Sequence, residues 1–131
     1  MLSYGFLPVS GVEAVMNLHL KRVYEPPAKD DGLRVLVDRL WPRGVTKDEA
    51  SVDLWLKDIA PSPELRRWFG HVPRKWQEFR RRYRAELGGR AGEIEALRKR
   101  AGGARVTLLY GAKDNEHNQA VVLREFLEEE K

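Results

Sequence analysis

The 131-residue chain contains no cysteine. That excludes disulfides, a thiolate nucleophile and cysteine-ligated zinc or iron–sulfur centres from its chemistry. The absence fits a reducing compartment without identifying one. No run approaches the roughly 20 consecutive apolar residues that a membrane-spanning helix needs. Residues 1–16 include Phe6, Leu7, Val9, Val12 and Val15, but they lack the basic start and unbroken apolar stretch of a secretory signal. The chain therefore reads as cytoplasmic, with no membrane partner. Repeats and low-complexity tracts are missing too.

What remains is an ordinary globular mixture, 42% hydrophobic and 34% charged, enough for one core in one domain. The net charge of +4 is unevenly placed. Residues 64–100 hold 12 lysines and arginines against 5 carboxylates, a net +7 that leaves −3 for the rest. Such a segment suits nucleic acid, an acidic partner or a phosphorylated metabolite. A solvated helix surface is the plainer alternative.

Residues 1–15 show no helical or strand period and contain Gly5, Pro8, Ser10 and Gly11. They are expected to be a poorly ordered extension, with 16–131 forming a single domain. In 17–24, alternating Leu18 and Leu20 predict a first strand, with Val23 out of phase. Pro26, Pro27 and Asp31-Gly32 make 25–32 a loop. The β-branched run 33–37 reads as a strand buried on both faces. Thr46 and Glu49 suit a capping box over 46–51, and 52–56 forms a third strand candidate.

Ser62-Pro63-Glu64 is a helix start, and Gly70 stops that helix. A longer helix from about Pro73 places Trp76, Phe79, Tyr83 and Leu87 on one stripe, which reads as core packing. Gly88-Gly89 ends it. A helix over 90–101 turns Ala91, Ile94, Leu97 and Ala101 inward. The run 105–109 is a buried strand, and Asp114 can cap a final helix with Ala120, Leu123 and Leu127 on its inner face. The order predicts a three-layer α/β domain, with a mainly parallel four-stranded sheet and helices on both faces.

In such a sheet the strand exits share one edge, and ligands bind outside the carboxyl ends of the strands. The exits here carry Tyr24 and Glu25; Asp38, Arg39, Trp41, Pro42, Arg43 and Gly44; Lys57, Asp58 and later Ser62; and Tyr110, Gly111, Lys113, Asp114, Glu116, His117 and Asn118. Arg39 and Arg43 suit bidentate capture of phosphate or carboxylate, and Trp41 offers a flat face. Alternatively, Asp38 pairs with an arginine to hold the loop while Trp41 and Pro42 plug it. Lys113 adds a point charge near a helix start that attracts anions. Asp38 and His117 are the acid/base candidates; Asp114 reads first as a helix cap. Lys57, Asp58, Tyr110 and Asn118 complete the expected binding set. Asp38, Asp58, Asp114 and His117 are chemically able to hold a hard cation, but no spacing matches a metal signature. His71 lies near enough to reach the same edge, and its simpler reading is structural.

Five strings are more specific: Lys21–Pro27, Val37–Gly44, Leu54–Ser62, Trp68–His71 and Leu109–Asn118. Together they resemble the YeaO-like branch of the bacterial family called domain of unknown function 488, from about Asn17 to Leu127. The resemblance implies an α/β fold and no assigned reaction or cofactor. A sister branch has cysteines where this chain has Tyr110 and Asn118, while sharing the Lys113, Asp114, Glu116 and His117 pattern. A thiol activity there could not carry over, but the resemblance implies that the last strand exit is a working site.

The leading expectation is a domain binding an anionic, phosphate-containing small molecule at this edge, with turnover left open. A nucleic-acid module using 64–100 is the second, and a structural or partner-binding protein the third.

Overall fold

The computed structural model describes residues 16–129, so the extension expected over 1–15 lies outside the described residues. The chain forms β1 (Asn17–Arg22), β2 (Leu33–Leu36), α1 (Lys47–Ala50), β3 (Leu54–Trp55), α2 (Pro63–Phe69), α3 (Trp76–Leu87), α4 (Ala91–Ala101), β4 (Arg105–Tyr110) and α5 (Gln119–Glu129). The four strands pair only in parallel, in the order β1-β4-β2-β3. This is the α/β domain that the order of elements predicts. β4, last in sequence, is inserted between the first two strands.

Both faces of the sheet are covered, but unequally. Leu18, Val35, Val37, Val106, Leu108 and Tyr110 join one core cluster with the inner faces of α2, α3, α4 and α5. The Phe79, Tyr83 and Leu87 stripe is buried there, and the Tyr83 hydroxyl donates to the Ile59 carbonyl at 2.8 Å. Leu36 and Leu109 point the other way, into a smaller cluster with Val23, Ala50 of α1, Trp41 and Trp55. Val23 fell out of phase with Leu18 and Leu20 because it belongs to this second face.

On the second face the β1–β2 connection crosses close to the sheet. Asp31 is buried, and its carboxylate accepts from Lys21 Nζ, Arg34 Nη1 and the Ala28 N–H. Burial alone would raise its pKa, but these bonds hold it below the ordinary value. Gly32 has φ of +68°, and a Cβ there would lie 2.1 Å from the Arg105 carbonyl oxygen. No other residue allows the chain so near β4.

Two of the expected helix starts form as read. Thr46 and Glu49 exchange both capping-box bonds, and Ser62 Oγ accepts from the Leu65 N–H at 3.1 Å. Three details differ. β3 contracts to two residues: Leu54 and Trp55 pair in register with Val35 and Leu36, while the flanking Asp53 and Leu56 N–H groups donate to the Arg34 and Leu36 carbonyls. Ala91 is exposed rather than inward-facing. α5 begins at Gln119, and its cap is Asn118, whose Oδ1 accepts from the Val121 N–H at 3.1 Å. Asp114 instead folds its own loop, accepting from the Glu116 and His117 N–H groups. No helix of the described residues is long and apolar enough to cross a membrane.

Candidate functional site

At the carboxyl edge of the sheet lies a cavity of about 470 Å³, within the range of small-molecule sites. Tyr24 follows β1, residues 38–43 follow β2, Gly111 and Ala112 follow β4, and Gln119 opens α5. Pro61, Arg66, Phe69 and His71 from around α2, with Phe79 of α3, complete the wall. The position follows from strand order: β4 sits between β1 and β2, so the exits of these three neighbours meet.

The surrounding loops are held by side chains that donate to backbone carbonyls. Arg39 donates to Pro61 and Ala60 at 3.0 and 3.1 Å. Arg22 donates to Ala112 and Gly111 at 2.8 and 3.0 Å. Trp41 Nε1 donates to Val45 and Trp55 Nε1 to Asp38; the two indoles meet edge to face, with centroids 5.4 Å apart. The Tyr24 hydroxyl donates to Arg43, under the Arg22 guanidinium. Irregular loops carry polar backbone groups that need partners, and these donors supply them. Arg39 and Trp41 therefore shape the wall as well as line it.

Among the described residues, Asp38 is the one carboxylate in that wall. Oδ2 accepts from the Gly111 N–H at 3.0 Å, and Oδ1 accepts from the Gln119 amide. Burial pushes its pKa up to about 6, although these two bonds and the charge of Arg66 oppose the shift. Asp38 does not hydrogen-bond to Arg39, so the loop brace considered from sequence runs through carbonyls instead.

Three arginines face that single carboxylate: Arg39, Arg43 and Arg66. Arg39 is committed to carbonyls, whereas the exposed Arg43 and Arg66 side chains hold no hydrogen bond among the described residues. Tyr24 and Leu40, 43% and 60% exposed, are the large hydrophobic residues left open among the described residues, and both edge this cavity.

Of the expected set, Asp38, Arg39, Trp41 and Arg43 come together. The remainder lie off the cavity wall. Lys57 sits with its ammonium 4.8 Å from the Trp55 ring centroid, beside exposed Asp58; β3 lies beyond β2, outside the three strands whose exits meet. Tyr110 is buried, donates to Asn115 Oδ1 at 3.0 Å and has its hydroxyl pKa raised by burial. Lys113 is exposed. Asp114 Oδ2 lies 2.9 Å from His117 Nδ1, and its pKa is lowered by the Glu116 N–H and by His117. The His117 ring packs edge-on against Trp76, with centroids 5.1 Å apart. Asn118 is buried, and its amide donates to the Asp114 carbonyl. The strand-four exit thus organises its own loop and the start of α5.

Sequence reasoning missed Arg66 and Gln119 and set His71 aside. Arg66 lies on a helix whose lean over the sheet has no local signal. Gln119 was hidden by placing the helix start at Asp114; with Asn118 as the cap, it falls in the first turn beside Asp38.

At least five of the 12 lysines and arginines of the basic middle segment pair with carboxylates. Arg80 pairs with Glu125, Arg84 with Glu129, Arg81 and Arg82 with Glu78, and Arg90 with Glu93. Among the described residues no group of three or more His, Asp or Glu side chains could hold a metal ion.

A family model described as the inactive DUF488-N3 subclade matches residues 17–131. The uncharacterized protein YeaO of Escherichia coli is 45% identical over 112 residues, covering 86% of this chain and 97% of that protein. Uncharacterized proteins of Mycobacterium bovis and Mycobacterium tuberculosis are each 44% identical over 111 residues, covering 85% of this chain and 93% of theirs. No solved structure matches the chain.

Proposed function

The chain belongs to the inactive DUF488-N3 subclade, and from that premise we propose that it is a binding domain for an anionic small molecule, held in the cavity at the carboxyl edge of its sheet. The observation that carries this reading is the charge of the wall, three arginines against one carboxylate among the described residues, with two of the guanidiniums making no hydrogen bond there. Arginine suits phosphate and carboxylate because its planar fork presents paired donors. The apolar surfaces of Phe69, Phe79, Pro61 and Leu40 beside those charges favour a ligand with a flat or apolar body.

Binding without turnover is the better reading. The subclade is described as inactive, the chain has no thiol, and the acid/base candidates are separated. Asp38 is on the wall, while His117 is off it and held by Asp114 and Trp76.

Phenyl phosphate carries both features and serves as the probe. At about 100-fold its dissociation constant it should stabilise the protein by about 2.7 kcal/mol, raising Tm on the order of 5–10 °C. Inorganic phosphate and phenol should do less at equal concentration, and Arg43→Ala should remove most of the shift. No stabilisation by phenyl phosphate at any attainable concentration would refute the proposal.

A further inference from the structure

His71 has φ of +58°, directly after Gly70 at +52°, the residue that closes α2. Two consecutive left-handed residues turn the chain back sharply, and the second is the more informative. A side chain in this region is disfavoured relative to glycine, and such strain clusters where a side chain is needed in a fixed place. His71 lines the cavity and is exposed. Its ring meets Phe69 at 5.9 Å between centroids, tilted by 54°, and makes no hydrogen bond among the described residues.

Neither feature is explained by folding alone. Glycine would make the same turn at lower conformational cost, and a tilted contact at the rim of one ring needs no nitrogen. The wall around His71 holds Arg43 and Arg66, whose charges attract the same kind of group that an imidazole N–H would contact. We propose that His71 is a ligand-binding residue of this cavity, donating a ring N–H to the anionic group of the ligand that Arg43 and Arg66 draw in. The inference rests on the binding reading above and adds the residue that fixes where the anion sits.

Two variants of the full chain separate this role from a structural one. His71→Gly relaxes the backbone and removes the ring, whereas His71→Phe keeps a ring against Phe69 and removes the donor. Phenyl phosphate affinity, measured by calorimetric titration, should fall at least fivefold in both, while the Tm of His71→Gly equals or exceeds that of the parent. In the parent, the His71 imidazole resonances should move on titration with phenyl phosphate. Parent-like affinity in His71→Phe, or imidazole resonances that stay fixed while the probe binds, overturns the assignment and leaves the binding site standing. If the parent protein does not bind the probe, both proposals fall together.

Discussion

The Asp38 carboxylate and the Gly111 backbone are fitted to each other without spare room. Oδ2 accepts the Gly111 N–H at 3.0 Å, and a Cβ at position 111 would lie 2.8 Å from that same oxygen. Alanine at 111 would thus push away the acceptor of its own amide. Gly111→Ala should lower stability by about 1–2 kcal/mol through the displaced hydrogen bond. Urea unfolding checks this, and a loss below ~0.5 kcal/mol would show that the contact is slack.

Asp38 also sets a pH dependence with a definite sign. Its pKa is raised from 3.8 to about 6 in the folded protein, so between these values the native state binds more protons than the unfolded chain. Its contribution to stability falls as pH rises through that window and stays low above it, by about 2–3 kcal/mol in all. Asp31 and Asp114 are shifted downward and add the opposite slope at lower pH. Comparing Asp38→Asn with the parent cancels them. The difference in unfolding free energy should move in favour of the variant by about 2 kcal/mol between pH 4 and 7; a difference independent of pH would contradict the account.

Arg39 and Arg43 lie four residues apart in one loop and should behave differently. Arg39→Met removes two hydrogen bonds to the Pro61 and Ala60 carbonyls, at a cost of about 1–2 kcal/mol. Arg43→Met removes no side-chain hydrogen bond, so its stability should stay within about 0.5 kcal/mol of the parent, while phenyl phosphate binding drops. Chemical denaturation of both variants, beside a binding titration, tests the contrast. Equal destabilisation would mean that Arg43 is also a brace.

At the start of α5, Asn118→Ala should cost about 1 kcal/mol or more, because the buried Asn118 side chain that accepts from the Val121 N–H is lost. Asp114→Ala should cost less, since it breaks a local turn on a partly exposed segment. Thermal unfolding of the pair orders them. The reverse order would return the cap to Asp114.

Most of the sheet and helices were legible because their signals are local. Ser62-Pro63-Glu64, Thr46 with Glu49, and the Phe79, Tyr83, Leu87 stripe each carry their own physical reason. The Asp38–Gly44 stretch was legible as a site because a strand end followed by charged residues faces the carboxyl edge in any parallel sheet. Strand order was not. Lys57 follows β3, which lies beyond β2 and away from the meeting of β1, β4 and β2. His71 was set aside because its spacing gives only a helix end; its left-handed backbone and its place on the wall are tertiary facts. The residue types of Lys113 to Asn118 do not separate the two roles, since Asp114 and Asn118 serve their own backbone here and such side chains do so as readily as they meet a ligand.

The central claim is that anions bind beside Arg43 at the meeting of three strand exits. An amide chemical-shift map of the 15N-labelled protein during phenyl phosphate titration tests it most directly. The account predicts shifts concentrated at residues 38–43, 66–71 and 111–112, saturating together. Shifts confined to the arginine-rich surface of α3, or no shifts at all, would contradict it.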